Sequence, residues 1–167
     1  MGRHTVSLRI ARALLFGLAL GCSDSPVGPS TNGPQLFSAK LNGVQWTATD
    51  SSRMQSLWDS EGNLLIAGDR LGPIYPPIID RVEVRAIVTG KGPYALGDSM
   101  FFGLYHVTAS NIFYFTSPAH PGVLRVTAVD RKSQTIAGTF SFDGQRSWDS
   151  AIVHVTDGKF RLHYLIP

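Results

Sequence analysis

The chain carries five histidines and twelve acidic residues, and these are the side chains from which acid–base or metal chemistry could be built. A general base needs a group that orients it, so each candidate pairs a histidine with a carboxylate and depends on the fold to bring them together. The candidates are His106, His120, Asp98 and Asp149. The sequence has no nucleophile elbow, phosphate-binding glycine loop, zincin helix or pair of cysteines. We therefore predict no catalytic residues, and an enzyme of unrecognised type is the alternative.

Two histidines near the C terminus are the candidate metal ligands. The spacing predicts that His154 and His163 share one face of a C-terminal hairpin, one diagonal step and about 7–8 Å apart. Arg161 would lie directly opposite His154 and would repel a cation, and the predicted pairing places no carboxylate to complete a site. We therefore predict solvated strand histidines, with no metal site and no cofactor.

In the segment 101–115, apolar side chains occur at successive positions and not only at every second one. A strand with one buried face needs apolar residues only at every second position, so either another element covers the second face or an aromatic surface is open to a ligand. The Pro-rich segment 71–79 is the predicted cover, because its prolines cannot pair inside a sheet. In the alternative, an apolar or glycan-like ligand, or another envelope protein, binds Tyr75, Phe102, Tyr105, His106, Phe113 and Tyr114.

The elements that position these residues are strands. Asn42-Gly43 separates two runs in which apolar and polar residues alternate, and this dipeptide favours a two-residue type I′ turn. The turn pairs Leu41 with Val44 and places the apolar side chains at 37, 39, 41, 44, 46 and 48 on one face. Trp46 is therefore predicted to lie in the core.

Asp157-Gly158 repeats this pattern near the C terminus. It predicts a second hairpin, in which Val155 pairs with Phe160 and the next apolar pair on the same face lies two residues further from the turn.

The remaining strands are predicted from the same alternation and from turn-forming residues between the runs. They lie near residues 54–58, 63–68, 80–88, 94–96, 101–107, 112–116, 123–129 and 134–142. No segment has a sustained apolar pattern at helical spacing. Residues 36–167 are therefore predicted to form one all-β domain, an antiparallel β-sandwich, with a closed β-barrel as the alternative.

Residues 1–21 have the parts of a secretory signal peptide: early arginines, a short apolar run over 13–20, and Gly21. The run is shorter than the roughly 20 apolar residues that span a bilayer. Residues 18–22 resemble the lipobox of bacterial lipoproteins, which are lipidated on the cysteine sulfur and cleaved just before it. The resemblance implies that Cys22, the one cysteine, carries a membrane anchor of acyl chains such as palmitate.

Residues 22–35 are predicted to be the lipidated cysteine followed by a flexible tether rich in Ser, Pro and Gly. Ser23, rather than Asp, follows the cysteine. In lipoproteins of the Gram-negative type this resembles the sorting pattern for the outer membrane, in its periplasmic or its cell-surface leaflet.

The formal charge of +3 comes from three arginines of the predicted signal peptide, Arg3, Arg9 and Arg12. From Cys22 onward, basic and acidic residues are equal in number. A charge-balanced domain has no basic surface for nucleic acid or anionic lipid, so neither is predicted as a partner.

Four segments together resemble an uncharacterised family of bacterial lipoprotein domains: 37–46, 92–97, 136–142 and 155–160. The likeness covers most of residues 36–164 and departs from the family pattern at the Pro-rich insertion 71–79. It implies an all-β domain and no assigned activity. The predicted function is a non-catalytic binding or structural module of the cell envelope, attached to the membrane through its lipid.

Overall fold

The computed structural model describes residues 28–49, 51–73 and 78–167. The predicted signal peptide, Cys22, residues 23–27 of the predicted tether, and Tyr75 lie outside the described residues.

Within those ranges the chain forms eleven strands and two short 3₁₀ helices at Ser51–Arg53 and Thr108–Ser110. The strands are β1 (Leu36–Leu41), β2 (Val44–Thr47), β3 (Met54–Trp58), β4 (Asn63–Leu71), β5 (Ile78–Ile87), β6 (Gly92–Leu96), β7 (Phe102–Val107), β8 (Ile112–Phe115), β9 (Gly122–Asp130), β10 (Thr135–Gln145) and β11 (Ile152–His163). The predicted all-β antiparallel class is confirmed.

The described strands form one strongly curled antiparallel sheet, a half-barrel. Its order is β2-β1-β11-β10-β8-β7-β5-β4-β3, with β9 also paired to β10 and β6 paired to β9. We call β2-β1-β11-β10-β9-β6 the first half-sheet and β8-β7-β5-β4-β3 the second. The two are joined where Gln145 of β10 pairs with Phe115 of β8.

A second connection lies on the other side of the half-barrel. Leu165 forms a parallel bridge with Leu57 of β3, and its backbone bonds to Ser56 and Trp58 at 2.9 and 3.0 Å. Side chains from both half-sheets fill one shared interior, where Phe37 contacts Trp46 at 6.0 Å and Phe140 at 5.2 Å between ring centroids.

The N-terminal hairpin forms as predicted. Leu41 pairs with Val44 and Ala39 with Trp46, and the turn residues Asn42 and Gly43 have φ values of 49° and 83°. Trp46 is buried. Val44 departs from the prediction, because it lies at the end of the hairpin beyond the core and is 69% exposed.

The C-terminal hairpin prediction is wrong. Asp157-Gly158 lies inside the continuous strand β11, which pairs with β10 on one side and β1 on the other. The register shifts between Phe140 and Phe142, and Asp157 has a left-handed φ of 52°, so the dipeptide forms a β-bulge. The extra residue moves the buried positions from Val153 and Val155 to Gly158, Phe160 and Leu162. A hairpin turn and a bulge both explain that change of phase, and the sequence does not distinguish them.

The bulged strand also separates the two candidate metal ligands. His154 and His163 lie near opposite ends of β11, about 30 Å apart at about 3.3 Å per residue. His154 Nδ1 is 2.8 Å from Asp143 Oδ1, and His163 Nδ1 is 3.1 Å from Thr135 Oγ1. The expectation that these histidines are diagonal neighbours, with Arg161 opposite His154, is therefore wrong.

Candidate functional site

The second half-sheet has one face toward the core and one away from it, and we call the latter the outer face. The register of β3, β4, β5, β7 and β8 aligns the outer-face side chains in three rows across the strands. The first row is Leu57, Leu65, Arg85 and Phe102. The second is Gln55, Ala67, Glu83, Leu104 and Phe115. The third is Asp69, Arg81, His106 and Phe113.

Four rings of β7 and β8 form a contiguous group on this face, which we call the aromatic column: Phe102, Phe115, Phe113 and His106. His106 stacks on Phe113 with centroids 4.0 Å apart and planes 6° from parallel. Phe113 lies 6.0 Å from Phe115, which meets Phe102 edge to face at 5.8 Å. The column is partly buried, and Phe115 is 42% exposed.

The stacking determines which chemistry the column offers. The faces of the His106, Phe113 and Phe115 rings are directed at one another, and the Arg85 guanidinium lies 5.5 Å from the Phe102 ring centroid. A sugar packs its C–H groups against the electron-rich face of a ring, and in the closest pair His106 and Phe113 cover one face of each other. The stacking therefore reduces the ring faces that a glycan-like ligand could use.

His106 acts in this column as a flat packing group. Its Nε2 is buried and has no hydrogen-bond partner among the described residues. A buried nitrogen is out of reach of a substrate proton, so Nε2 is not placed to act as a general base.

Beside the column lies a charged cluster with no net charge. Arg81 donates from Nη1 to Asp69 at 3.2 Å and from Nε to Glu83 at 3.1 Å, and Arg85 Nε donates to Glu83 at 2.7 Å. Both carboxylates are buried although they belong to the outer face. Burial raises the pKa of Asp69, and the charge of Arg81 partly offsets that rise. The arginines are therefore needed locally to neutralise these acids.

A groove of about 470 Å³ adjoins the first row, between the outer face and the loop that precedes β7. Its apolar lining includes Leu57, Leu65, Met100, Phe101 and Phe102. Leu57 is 42% and Met100 64% exposed. Because Phe102 belongs to both, the groove and the aromatic column form one apolar surface.

Arg85 also lines this groove. Its Nε is bonded to Glu83, whereas its two terminal nitrogens have no hydrogen-bond acceptor within the described ranges. The side chain is 50% exposed. Up to four N–H donors on one cation are therefore free at the edge of an apolar groove.

The predicted ligand residues divide between the two faces of the sheet. Phe102, His106 and Phe113 lie together on the outer face, whereas Tyr105 and Tyr114 pack against the core. The Tyr105 hydroxyl donates to Asp80 Oδ2 at 3.0 Å, and burial strongly raises the pKa of Tyr105. Gly103 marks the inner face, since a Cβ there would lie 2.4 Å from the Phe142 ring.

Sequence reasoning missed a buried polar cluster around Asp80. Trp46 Nε1 donates to its Oδ1 at 2.8 Å, and Arg70 donates to both carboxylate oxygens at 3.1 and 2.5 Å. With Tyr105 as a further donor, Asp80 has a partner for each oxygen. A fully paired carboxylate has no free position for a ligand, so this cluster is part of the packing at the end of the core.

Within the described ranges, the candidate catalytic residues are not hydrogen-bonded to one another. Asp98 accepts two backbone N–H bonds of its own turn, His120 lies in the turn before β9, and Asp149 is paired with Arg146. Across the described part of the chain, no hydrogen bond joins His106 or His120 to either aspartate. No group of three or more His, Cys, Asp or Glu side chains is placed there to hold a metal ion.

Neither 3₁₀ helix of the described ranges has the length and apolar character of a membrane span. The second half of the predicted tether lies against the first half-sheet. Thr127 Oγ1 donates to the carbonyl of Pro29, and Arg161 donates to the carbonyls of Ser30 and Pro34, each at 2.8 Å.

Comparison with known proteins places the chain in a family. The model of a family described as Domain of unknown function (DUF6252) matches residues 33–162. Among curated proteins and among solved structures, nothing matches the chain. The matched residues contain all of β1 to β10 and all of β11 except its last residue. The chain therefore belongs to the DUF6252 family.

Proposed function

We propose that this protein is a non-catalytic binding module of the bacterial cell envelope, held at the outer membrane by acyl chains on Cys22. Its ligand is apolar and binds the outer face of the second half-sheet. The anchor rests on the signal-like residues 1–21 and the lipobox-like residues before the cysteine.

The observation that carries the binding role is the apolar surface formed by the groove and the aromatic column. Large apolar side chains that are 42–64% exposed cluster here: Leu57, Met100 and Phe115. Contiguous exposed apolar surface costs solvation free energy and marks sites of ligand or partner binding. The groove volume of about 470 Å³ lies within the range of small-molecule sites, about 300–1,000 Å³.

A fluorescence titration tests this proposal. The protein used is residues 22–167 with Cys22→Ser, so that no acyl chain competes for the groove, and the probe is the neutral dye N-phenyl-1-naphthylamine. The described core and its hydrogen bonds lie within residues 29–167. We expect saturable binding, weakened roughly three- to tenfold by Met100→Ser, since this change removes apolar area from the groove wall.

Val44→Ser is the matched control, because Val44 is an equally exposed apolar residue on the first half-sheet, 69% against 64% for Met100. It should leave the affinity unchanged. Non-saturable binding, or the same loss in both variants, would contradict the proposal.

A further inference from the structure

We infer that the ligand of the groove is a fatty carboxylate, a single aliphatic chain with one negatively charged head, and that Arg85 receives the head. This inference deepens the proposed function, because it assumes that the groove binds apolar molecules and adds the chemical class of the ligand.

The first step is the state of Arg85. Its Nε is fixed by Glu83 at 2.7 Å, and the ring of Phe102 lies 5.5 Å from its Cζ, so the guanidinium plane is held in place. Its terminal nitrogens are unpaired within the part of the chain that the structure describes. A fixed guanidinium with free parallel N–H groups is the geometry that binds a carboxylate in bidentate fashion.

The second step is the wall beside that guanidinium. Leu57, Leu65, Met100 and Phe101 line the groove, and none of these side chains carries a hydrogen-bonding group. This part of the wall therefore binds an aliphatic chain through area removed from water, and the polar lining residues Asn63 and Ser99 lie beside it.

The third step concerns the charged groups that line the groove. Asp59 and Pro167, the last residue of the sequence, also line it. Asp59 accepts bonds from the backbone and side chain of Asn63 and from Glu61, and these bonds lower its pKa, so that it is ionised at neutral pH. Its lone pairs are committed within its own turn, and its charge repels a second negative charge on a ligand. Glu83 balances the charge of Arg85 but leaves its terminal N–H groups as donors, and Asp59 adds one fixed negative charge, so a head group with a single charge fits better than one with two.

The experiment compares two ligands of equal chain length on the same protein, residues 22–167 with Cys22→Ser. Dodecanoate and 1-dodecanol are titrated as competitors of N-phenyl-1-naphthylamine. We expect dodecanoate to bind about tenfold more tightly than dodecanol, because only the carboxylate forms charge-assisted bonds to Arg85. Arg85→Gln should abolish that difference and leave the dodecanol affinity within about twofold.

Arg125→Gln is the matched control, a loss of one arginine from β9, whose side chain does not line the groove. It should preserve the preference for dodecanoate. Equal binding of acid and alcohol by the unsubstituted groove would overturn the inference and leave the proposed function standing. Equal weakening of both ligands by Arg85→Gln would also overturn it, since Arg85 would then act through the packing of Phe102. Failure of both ligands and the dye to bind would instead contradict the proposed function.

Discussion

Two carboxylates are buried on the outer face of the second half-sheet, the face directed away from the core. Asp69 and Glu83 owe this burial to the side chains of Arg81 and Arg85, whose stems and guanidinium groups close over them. Each acid is paired, but pairing does not fully restore the solvation that burial removes. The pKa of Asp69 is accordingly raised, with burial as the larger cause and the charge of Arg81 opposing it.

This shift predicts a pH dependence for Asp69→Asn. A raised pKa in the folded state means that ionising Asp69 disfavours folding, and this cost appears as the pH rises from the unfolded value of 3.8 through the folded value. The asparagine variant lacks the cost. The free energy of unfolding of the variant relative to that of the natural sequence should therefore increase between about pH 3 and about pH 7, as measured by urea unfolding.

Asp157→Asn provides a control of opposite sign. A hydrogen bond from Lys40 lowers the pKa of Asp157, so its ionised form favours folding, and this stabilisation is lost as the pH falls through the folded pKa. The relative stability of this variant should decrease as the pH rises. A constant or falling relative stability of Asp69→Asn over the same range would show that Arg81 compensates fully for the burial of Asp69.

Strand β11 shows why two dipeptides that both favour a hairpin turn, Asn-Gly and Asp-Gly, have different outcomes. Asn42-Gly43 forms a turn because β1 and β2 pair directly across it. Asp157-Gly158 has a paired strand on each side, β1 and β10, and these hold β11 extended through the bulge. Pairing on both edges therefore prevails over the local preference of Asp-Gly for a turn.

Gly158→Ala tests the bulge directly. A Cβ at residue 158 would lie 2.4 Å from the Phe140 carbonyl oxygen and 2.6 Å from its ring. We expect a loss of about 1–3 kcal/mol in the free energy of unfolding, the range for forcing extra volume into a packed interior, and the nearness of the rigid carbonyl places it in the upper part of that range. At the tip of an exposed hairpin, the same methyl group would have open space.

Gly90→Ala is the matched control, since nothing lies within 4 Å of its Cβ position. It should change the free energy of unfolding by no more than about 1 kcal/mol. An equally small effect of Gly158→Ala in urea unfolding would argue for a turn at this position.

Alternation of apolar residues predicted the strands well, because in a half-buried sheet every second side chain of each strand faces the core and is apolar. The order of those strands was not predictable. It depends on which distant edges meet, and β10 pairs with β9 over most of its length but with β8 at its end.

The candidate site was predicted in part for the same reason. The sequence identified the aromatic segment. Because its apolar residues occupy successive positions, alternation did not indicate which of them face the core and which face outward. Arg85, Leu57 and Leu65 could not be assigned to the groove, because their approach to Phe102 depends on the register of β3, β4, β5 and β7.

At the scale of the whole molecule, the N-terminal segment links the domain to its proposed anchor. Residues 29, 30 and 34 are bound to Thr127 and Arg161 on the first half-sheet, whereas the aromatic column and the groove belong to the second. Only residues 22–27 then remain to separate the lipid from the domain, and fully extended they reach about 20 Å. We therefore expect the domain to lie near the membrane surface.

Cys22→Ser tests whether the acyl chains are the whole attachment. Each buried CH₂ contributes about 0.8 kcal/mol, and more than one acyl chain makes binding stable, whereas a charge-balanced domain has no net attraction to an anionic surface. In cells, the variant should incorporate no labelled palmitate and should remain uncleaved before residue 22. The substitution should not change stability: the urea unfolding midpoint of residues 22–167 should be the same for Cys22→Ser as for the chain with an unmodified Cys22, because the described core begins at Phe37. Ser23→Ala is the control for a neighbouring change and should remain lipidated and membrane-bound. Palmitate labelling that persists in Cys22→Ser would contradict the anchor, since the sequence has no second cysteine to carry it.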